Sequence, residues 1–222
     1  MPEIQLPKPR AILFDWDNTL VDTWPCISRA INITLSAMGQ QTWTPEEVRA
    51  RVAGSLRDTF PALFGGRWEE AREIFYQAFA EVHLEMLTTN DGAEDMLREA
   101  AGSGIYLGVV SNKTGKYLRS EAEHLGWTSL FGRLVGAQDA ARDKPAADPV
   151  HMALDPSGIT AGPEVWFVGD AAIDIVCGTS AGCRTVFVGA TYVTEPNTAH
   201  PDRIVADCKA LAALIRSAPP RN

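Results

Sequence analysis

Four short apolar runs, separated by helical patterns, constrain the fold of this chain more than any other sequence feature. The runs are Ala11–Phe14, Ile105–Val110, Val165–Val168 and Arg184–Val188, and each stops abruptly at a polar residue or a glycine. Continuous apolar runs of this length indicate parallel strands that are buried on both faces. The helical patterns cover about residues 91–102, 115–126, 146–155, 172–181 and 207–217. Because crossovers between parallel strands are right-handed, this alternation predicts an α/β fold with a doubly wound parallel sheet.

One long stretch of the chain lacks the alternation. Between Thr23 and about Thr89 there is no convincing buried strand, and three segments near 24–38, 45–53 and 68–87 have helical patterns instead. In the last of these segments, apolar residues recur at helical spacing. We therefore predict an α-helical domain, residues 22–89, that is inserted into a core formed by residues 1–21 and 90–222.

The charge and the cysteines narrow the class of protein. Lys and Arg total 20 against 28 for Asp and Glu, which gives a formal net charge of −8. A chain this acidic does not suit nucleic acid or an anionic membrane as a partner, and a phosphorylated substrate would need positive charge placed locally. The four cysteines lack zinc-site spacing, and no apolar run approaches the roughly 18 residues of a membrane span. Since the first nine residues lack the apolar segment of a signal peptide, we expect a cytoplasmic protein with reduced thiols.

Polar and acidic residues are concentrated where the predicted strands end. Asp15 and Asp17 follow the first run, Ser111, Asn112 and Lys113 follow the second, and Asp170 and Asp174 follow the third. In doubly wound sheets, ligands bind outside the carboxyl ends of the strands. Each group also has a purely structural interpretation: Asp15 as an Asx turn, Asp170 as a helix cap, and Lys144 as a solvated loop lysine.

Charge favours the functional interpretation. Two carboxylates about 4 Å apart repel each other by ~4 kcal/mol at an effective dielectric constant of ~20, and a bound phosphate would increase the repulsion. Mg²⁺ prefers oxygen ligands and binds carboxylates together with phosphate oxygens. A Mg²⁺ ion, with the positive charge of Lys144, would therefore give four neighbouring carboxylates a reason to converge.

Four motifs in order make the chain resemble phosphatases of the haloacid dehalogenase-like superfamily. They are Asp15-Trp16-Asp17-Asn18-Thr19, Ser111-Asn112-Lys113, Lys144-Pro145 and Gly169-Asp170-x-x-x-Asp174. Each motif is weak alone, but the ordered set is specific and extends over nearly the whole chain. The resemblance implies a Rossmann-like core, and the helical insertion is similar to the cap of phosphoglycolate phosphatases.

The resemblance also implies the roles of the catalytic residues. Asp15 would be the nucleophile that accepts the phosphoryl group as an aspartyl phosphate. Asp17 would protonate the leaving oxygen and then deprotonate the attacking water. Ser111 would donate a hydrogen bond to a phosphoryl oxygen, and Lys144 would balance the charge of the phosphate and of Asp15.

A metal site is implied in the same way. Asp15, Asp170 and the backbone carbonyl of Asp17 would bind Mg²⁺, and Asp174 would orient a metal-bound water or Lys144. The dehalogenases of the superfamily lack the second aspartate of the first motif, so Asp17 favours a phosphatase over a dehalogenase.

Two positions depart from the pattern of the superfamily. Asn18 stands where many relatives carry glycine, and Ala147 stands where a proline commonly follows Lys144-Pro145. Neither departure removes a catalytic group.

Four residues are candidates for substrate binding. Backbone N–H groups near Trp16 and Asn112 would assist phosphate binding. In the insertion, Gly54-Ser55-Leu56-Arg57 lies between helical segments, where similar caps place their specificity loop. We expect Arg57 to contact an anionic or hydroxylated substrate tail, with Lys113 as a second candidate and a solvated helix-terminal arginine as the alternative.

Three other functions are compatible with parts of the sequence. A phosphomutase of the same architecture would share every core motif. A non-catalytic binding module usually loses a nucleophile or a metal carboxylate, and this chain keeps them all. The segment Gly178-Thr179-Ser180-Ala181-Gly182 matches the nucleophile elbow of serine hydrolases, but an elbow needs a strand before it and a helix after it. Here the segment falls inside or at the end of a predicted helix, which argues against a serine esterase.

The favoured interpretation is a Mg²⁺-dependent phosphoric monoester hydrolase that acts on a small phosphorylated metabolite. Among such substrates, 2-phosphoglycolate is favoured by resemblance only. The sequence does not fix the substrate, the oligomeric state or the pathway.

Overall fold

The computed structural model describes residues 6–52, 56–192 and 199–220, with the backbone alone at residues 56–58. The chain divides into two compact units. The first unit contains residues 1–21 and 89–222, and the second contains residues 22–88. The second unit thus ends at Thr88, one residue before the end that the sequence predicts for the helical insertion.

The first unit is built on a parallel sheet. The strands of the described chain are β1 (Ala11–Phe14), β2 (Val21–Asp22), β3 (Thr88–Thr89), β4 (Tyr106–Thr114), β5 (Arg133–Ala137), β6 (Val165–Gly169), β7 (Arg184–Val188) and β8 (Arg203–Val205). Six of them form one sheet in the order β5-β4-β1-β6-β7-β8, and the neighbouring strands in it are parallel. The two-residue strands β2 and β3 pair where the chain crosses between the units.

The strand order shows that the sheet is doubly wound. From β1 the chain runs outward through β4 to β5, returns to the opposite side of β1, and continues through β6 and β7 to β8. With right-handed crossovers, this reversal places helices on both faces of the sheet. The prediction of an α/β, Rossmann-like parallel sheet is confirmed.

Helices make up most of the remaining described chain. They are α1 (Trp24–Ala37), α2 (Pro45–Arg51), α3 (Leu56–Phe64), α4 (Trp68–Val82), α5 (Ala93–Gly102), α6 (Gly115–His124), α7 (Asp148–Leu154), α8 (Ala172–Ser180) and α9 (Cys208–Ser217). The first four belong to the second unit, and the other five flank the sheet.

Apolar packing holds the central strands in place. Strands β1 and β6 are buried over their whole length. A cluster of buried side chains joins the sheet to α7 and includes Leu13, Val110, Phe167, Val150 and Leu154. Since burial of one such side chain contributes ~1.5–3 kcal/mol, the ends of these strands are rigid supports for the residues that follow them.

The second unit is helical, and aromatic contacts link its helices. Phe60 of α3 packs edge-to-face on Phe75 of α4, with ring centroids 5.6 Å apart. Helix α2 begins with a capping box, in which Thr44 accepts from the Glu47 N–H and the Glu47 side chain accepts from the Thr44 N–H. Such a cap satisfies two backbone donors that the first turn leaves without helical partners.

Several elements of the described chain, among them β5, β8 and α3 and the two-residue strands β2 and β3, have no counterpart in the sequence prediction. Strands β5 and β8 lie at the two edges of the sheet, begin with arginine and are partly exposed, so neither forms a continuous apolar run. Helix α3 contains Pro61, and a proline favours a break when it is read from sequence alone. Edge strands and a helix that tolerates proline are cases in which tertiary packing overrides the local pattern.

Two expectations that were based on composition can be compared with the structure. Within the described ranges, no helix is long and apolar enough to cross a membrane. The four cysteines are buried and form no disulfide, as predicted.

Candidate active site

Three carboxylates converge at the carboxyl edge of the sheet. Asp15 directly follows β1, Asp170 directly follows β6, and Asp174 lies in the first turn of α8. One oxygen from each of them lies within 4.8 Å of the other two. Asp174 is fully buried and Asp15 nearly so. An all-oxygen cluster of this kind is the donor set that hard divalent cations prefer.

A buried lysine joins two of these carboxylates. The Lys144 ammonium donates to Asp15 Oδ1 at 2.6 Å and to Asp174 Oδ1 at 2.7 Å. The backbone of Lys144 is held in turn by the side-chain amide of Asn112. This amide donates to the Lys144 carbonyl and accepts from the Lys144 N–H, both at 3.1 Å. Sequence reasoning placed Asn112 near the phosphate through its backbone and did not predict this clamp on Lys144.

Burial and crowding shift the pKa values in the cluster. Burial, with repulsion from Asp174, Asp170 and Asp17, raises the pKa of Asp15 to about 7, although Lys144 opposes the shift. Burial and repulsion from Asp174 raise the pKa of Asp170 to about 6. Burial disfavours the charged form of Lys144, but attraction to Asp15 and Asp174 outweighs it and raises the pKa of Lys144. The lysine therefore stays charged while two carboxylates resist ionisation, an imbalance that a bound cation would relieve.

Further hydrogen bonds hold the carboxylates of Asp174 and Asp170. Asp174 Oδ2 accepts from the Ala171 N–H at 3.0 Å, and the Thr19 hydroxyl donates to Asp170 Oδ1 at 2.8 Å. Gly169 leaves the space that Asp174 fills, because a Cβ at this position would overlap the Asp174 carboxylate. The glycine of the fourth motif is thus explained by close approach.

A second group of charges surrounds Asp17. The Lys113 ammonium donates to Asp17 Oδ1 at 2.7 Å and lies 2.9 Å from Glu121 Oε1. The Trp16 indole N–H donates to Glu121 Oε2 at 2.7 Å. We call these four residues, Trp16, Asp17, Lys113 and Glu121, the Asp17 network. The Lys113 side chain is 7% exposed, and that of Glu121 is 0% exposed.

Sequence reasoning missed Glu121, although a signal was present. Glu121 lies on α6 beside the buried residues Leu118 and Ala122, at spacings that place all three on one helix face. A carboxylate within an otherwise buried face is unusual and indicates a specific partner.

The second motif lies in an irregular part of β4 and does not follow a completed strand. Pairing between β4 and β5 shifts register between Val110 and Thr114, so Ser111-Asn112-Lys113 occupies the irregularity. Such irregularities redirect side chains and are frequent beside active sites. Ser111 is buried, and its hydroxyl oxygen accepts from the Lys113 N–H at 3.2 Å.

The structure also explains a departure from the superfamily pattern. Asn18 has a φ of 62°, in the left-handed region that glycine and asparagine adopt most easily. An asparagine can therefore replace the glycine of many relatives at this turn.

Two other sequence candidates can be placed. Ser180 is the last residue of α8, so no helix follows it directly and the geometry of a nucleophile elbow is absent. Arg57 lies in α3, where its side chain is outside the described residues, as are Gly54 and Ser55.

Comparisons with known proteins show which family the sequence matches. The family described as haloacid dehalogenase-like hydrolase matches residues 12–188. A phosphoglycolate phosphatase from Xanthomonas campestris pv. campestris is 32% identical over 182 residues, which cover 80% of this chain and 82% of that protein. An N-acetylmuramic acid 6-phosphate phosphatase from Pseudomonas aeruginosa is 30% identical over 197 residues and covers 86% of this chain and 87% of its own.

Solved structures show the same likeness. A HAD-superfamily hydrolase from Ehrlichia chaffeensis superposes with a TM-score of 0.67 at 28% identity, covering 96% of this chain and 98% of its own. A HAD-superfamily hydrolase of subfamily IA from Geobacter sulfurreducens PCA has a TM-score of 0.77 at 20% identity, covers 94% of this chain and 97% of its own, and supports the fold alone.

The close approach of the Asp174 side chain to Gly169 can be tested by measuring the free energy of unfolding of a Gly169 variant. We expect Gly169→Ala to lower the free energy of unfolding by about 1–3 kcal/mol, because Asp174 must move away from buried partners. Gly102→Ala is the matched control, since a Cβ at Gly102 meets nothing within 4 Å and φ is not positive there. Urea denaturation of both variants is the measurement. Equal stability of the two would contradict the proposed fit between Gly169 and Asp174.

Proposed function

The chain belongs to the haloacid dehalogenase-like hydrolases, and on this basis we propose that it is a Mg²⁺-dependent phosphatase of a small phosphomonoester. The reaction proceeds through an aspartyl phosphate on Asp15. The observation that carries the proposal is the cluster of Asp15, Asp170 and Asp174, two of which contact Lys144, with Asp17 two residues beyond the nucleophile.

The residues present fit a divalent cation. Asp15 and Asp170 each have one carboxylate oxygen engaged, by Lys144 and Thr19 respectively, and each retains a second oxygen. These two carboxylates and the backbone carbonyl of Asp17 would hold Mg²⁺, with Asp174 close by. When bound, the ion supplies positive charge to the substrate phosphate and orients it.

The chain's own residues supply the nucleophile and the proton. Lys144 holds Asp15 Oδ1 in place, so the Asp15 carboxylate is oriented before substrate arrives. Attack by Asp15 on phosphorus forms the aspartyl phosphate, and Asp17 gives its proton to the departing oxygen. Asp17 then takes a proton from the water that hydrolyses the intermediate.

Charge on the phosphoryl oxygens is balanced by two further groups. The Ser111 hydroxyl accepts from the Lys113 N–H and can still donate its own proton to a phosphoryl oxygen. Lys144 provides a fixed positive charge in a buried site, where it acts more strongly than in water.

Relatives support 2-phosphoglycolate as the favoured substrate, with small sugar phosphates as further candidates. Proteins named phosphoglycolate phosphatase and N-acetylmuramic acid 6-phosphate phosphatase are both among the similar proteins. Contacts of Arg57, Lys113 and the backbone at Trp16 and Asn112 with the substrate remain predictions, as does a cytoplasmic location. A phosphomutase would return a phosphosugar and release little inorganic phosphate, so product analysis distinguishes it.

The first test of the proposal is hydrolysis by the Asp15→Asn variant. On a panel of small phosphomonoesters with Mg²⁺, we expect wild-type protein to release inorganic phosphate. The variant should lose more than ~10³-fold in kcat because the nucleophile is absent. Asp91→Asn is the matched control, since Asp91 is highly exposed and pairs with the exposed Lys209. Wild-type turnover by Asp15→Asn would refute the assignment of the nucleophile.

The second test is stabilisation by the metal. We expect Mg²⁺ at about 100 times its Kd to stabilise the wild-type fold by ~2.7 kcal/mol, and Asp170→Asn to lose most of this gain. Thermal denaturation with Mg²⁺, against EDTA at equal ionic strength, is the measurement. Because the raised pKa of Asp15, about 7, lets a proton compete with the cation, the stabilisation should be larger at pH 8 than at pH 6. Equal Mg²⁺ shifts in wild type and Asp170→Asn would argue against this site.

A further inference from the structure

Glu121 has no role in the proposed reaction, and stability alone does not explain it. Its side chain is fully buried on α6. Buried ion pairs can often be replaced by apolar side chains of similar volume without loss of stability. The role of a buried carboxylate in such a place is therefore to be sought in the residues that it contacts.

Both oxygens of Glu121 are engaged, and the partners belong to the first and second motifs. Oε1 contacts the Lys113 ammonium, and Oε2 accepts from the Trp16 indole. Lys113 also donates to Asp17, the residue that follows Trp16 in the chain. The Asp17 network is thus a closed ring, completed by the peptide bond between Trp16 and Asp17.

The ring restrains the carboxylate of Asp17, which is partly exposed. The Asp17 side chain is 29% exposed, far more than the other members of the network, so packing alone does not fix its carboxylate. Lys113 holds Asp17 Oδ1 and leaves the other oxygen for the reacting groups. Proton transfer requires the acid within about 2.6–3.2 Å of the leaving oxygen, so a rotated carboxylate would be ineffective.

We propose that Glu121, through Lys113 and together with Trp16, is a positioning residue that orients the Asp17 carboxylate for proton transfer to the leaving oxygen. The inference rests on the proposed function, in which Asp17 is the acid. In the step concerned, the bond from Asp15 to phosphorus forms, the bond from phosphorus to the leaving oxygen breaks, and the Asp17 proton moves to that oxygen.

In this proposal Lys113 orients Asp17, whereas the sequence makes Lys113 a candidate contact for the substrate tail. An ammonium that contacts two carboxylates at 2.7 and 2.9 Å and is 7% exposed is engaged inside the protein. The two roles predict different substrate dependence. Loss of a positioning residue affects any substrate that needs a proton on its leaving oxygen, whereas loss of a tail contact affects only substrates with an anionic tail.

The test compares kcat/KM for two esters, because kcat/KM reports the step in which the leaving group departs. The p-nitrophenolate group departs as a stabilised anion and needs little proton transfer, while the alkoxide of glycerol 2-phosphate needs a proton. We expect Glu121→Gln to lower kcat/KM for glycerol 2-phosphate by ~10-fold or more, and for p-nitrophenyl phosphate by less than ~3-fold. Lys113→Met should change the ratio of the two values in the same direction.

Matched controls come from the same helix. Glu123→Gln and Lys116→Met remove the same charges from exposed positions of α6 and should leave both values within ~2-fold of wild type. Equal losses on the two esters in Glu121→Gln, or no loss on either, would overturn the proposal. A defect of Lys113→Met that is confined to 2-phosphoglycolate would overturn it in favour of tail recognition.

A second variant guards against misfolding of Glu121→Gln. Trp16→Phe keeps a buried aromatic ring and removes the N–H that holds Glu121 Oε2, so it should shift the ester ratio in the same direction. An unchanged ratio in a folded Trp16→Phe protein would count against the ring. Wild-type protein that releases inorganic phosphate from no member of the phosphomonoester panel with Mg²⁺, 2-phosphoglycolate and the two esters included, refutes the proposed function itself. An active wild type with unchanged variant ratios refutes only the role of Glu121.

Discussion

Repulsion among carboxylates at one edge of the sheet is the constraint on which the rest of the site depends. Asp15, Asp170 and Asp174 lie close enough to share a cation, and the burial of Asp15 and Asp174 makes the mutual repulsion stronger than it would be in water. One ammonium, that of Lys144, offsets part of the negative charge by contacting two of them. The negative charge that remains disfavours the fully ionised state without a metal and favours binding of a divalent cation.

Local backbone features keep these charges together. Gly169 allows Asp174 to approach β6, and the Asn112 amide ties the loop of Lys144 to β4. The doubly wound sheet then presents the ends of its central strands at one edge, so groups from distant parts of the sequence meet there. Uncharged residues thus help to set the positions of the charged groups, Gly169 by leaving space and Asn112 by hydrogen bonds to the Lys144 backbone.

The sequence predicts the central part of this arrangement well, for a physical reason. Strands such as β1 and β6 are buried on both faces, so they appear as uninterrupted apolar runs, and the acids that follow them are easy to locate. The partners of Asp17 were harder to predict. Glu121 contacts Trp16 across a separation of 105 residues, and no local pattern records which carboxylate meets which donor. The edge strands β5 and β8 were missed because partial exposure removes the apolar signal.

The pairing of β1 has a consequence for synthesis on the ribosome. Ala11 pairs with Tyr106 on one side and with Val165 on the other. Strand β1 therefore cannot pair on both sides until Val165 has left the ribosome. At ~5–20 residues per second, translation of that interval takes several seconds or longer. The helical unit between Asp22 and Thr88 is complete before either neighbour of β1 exists. Until then the apolar side chains of β1 lack the two strands that cover them in the folded sheet, and this delay follows from where the insertion lies.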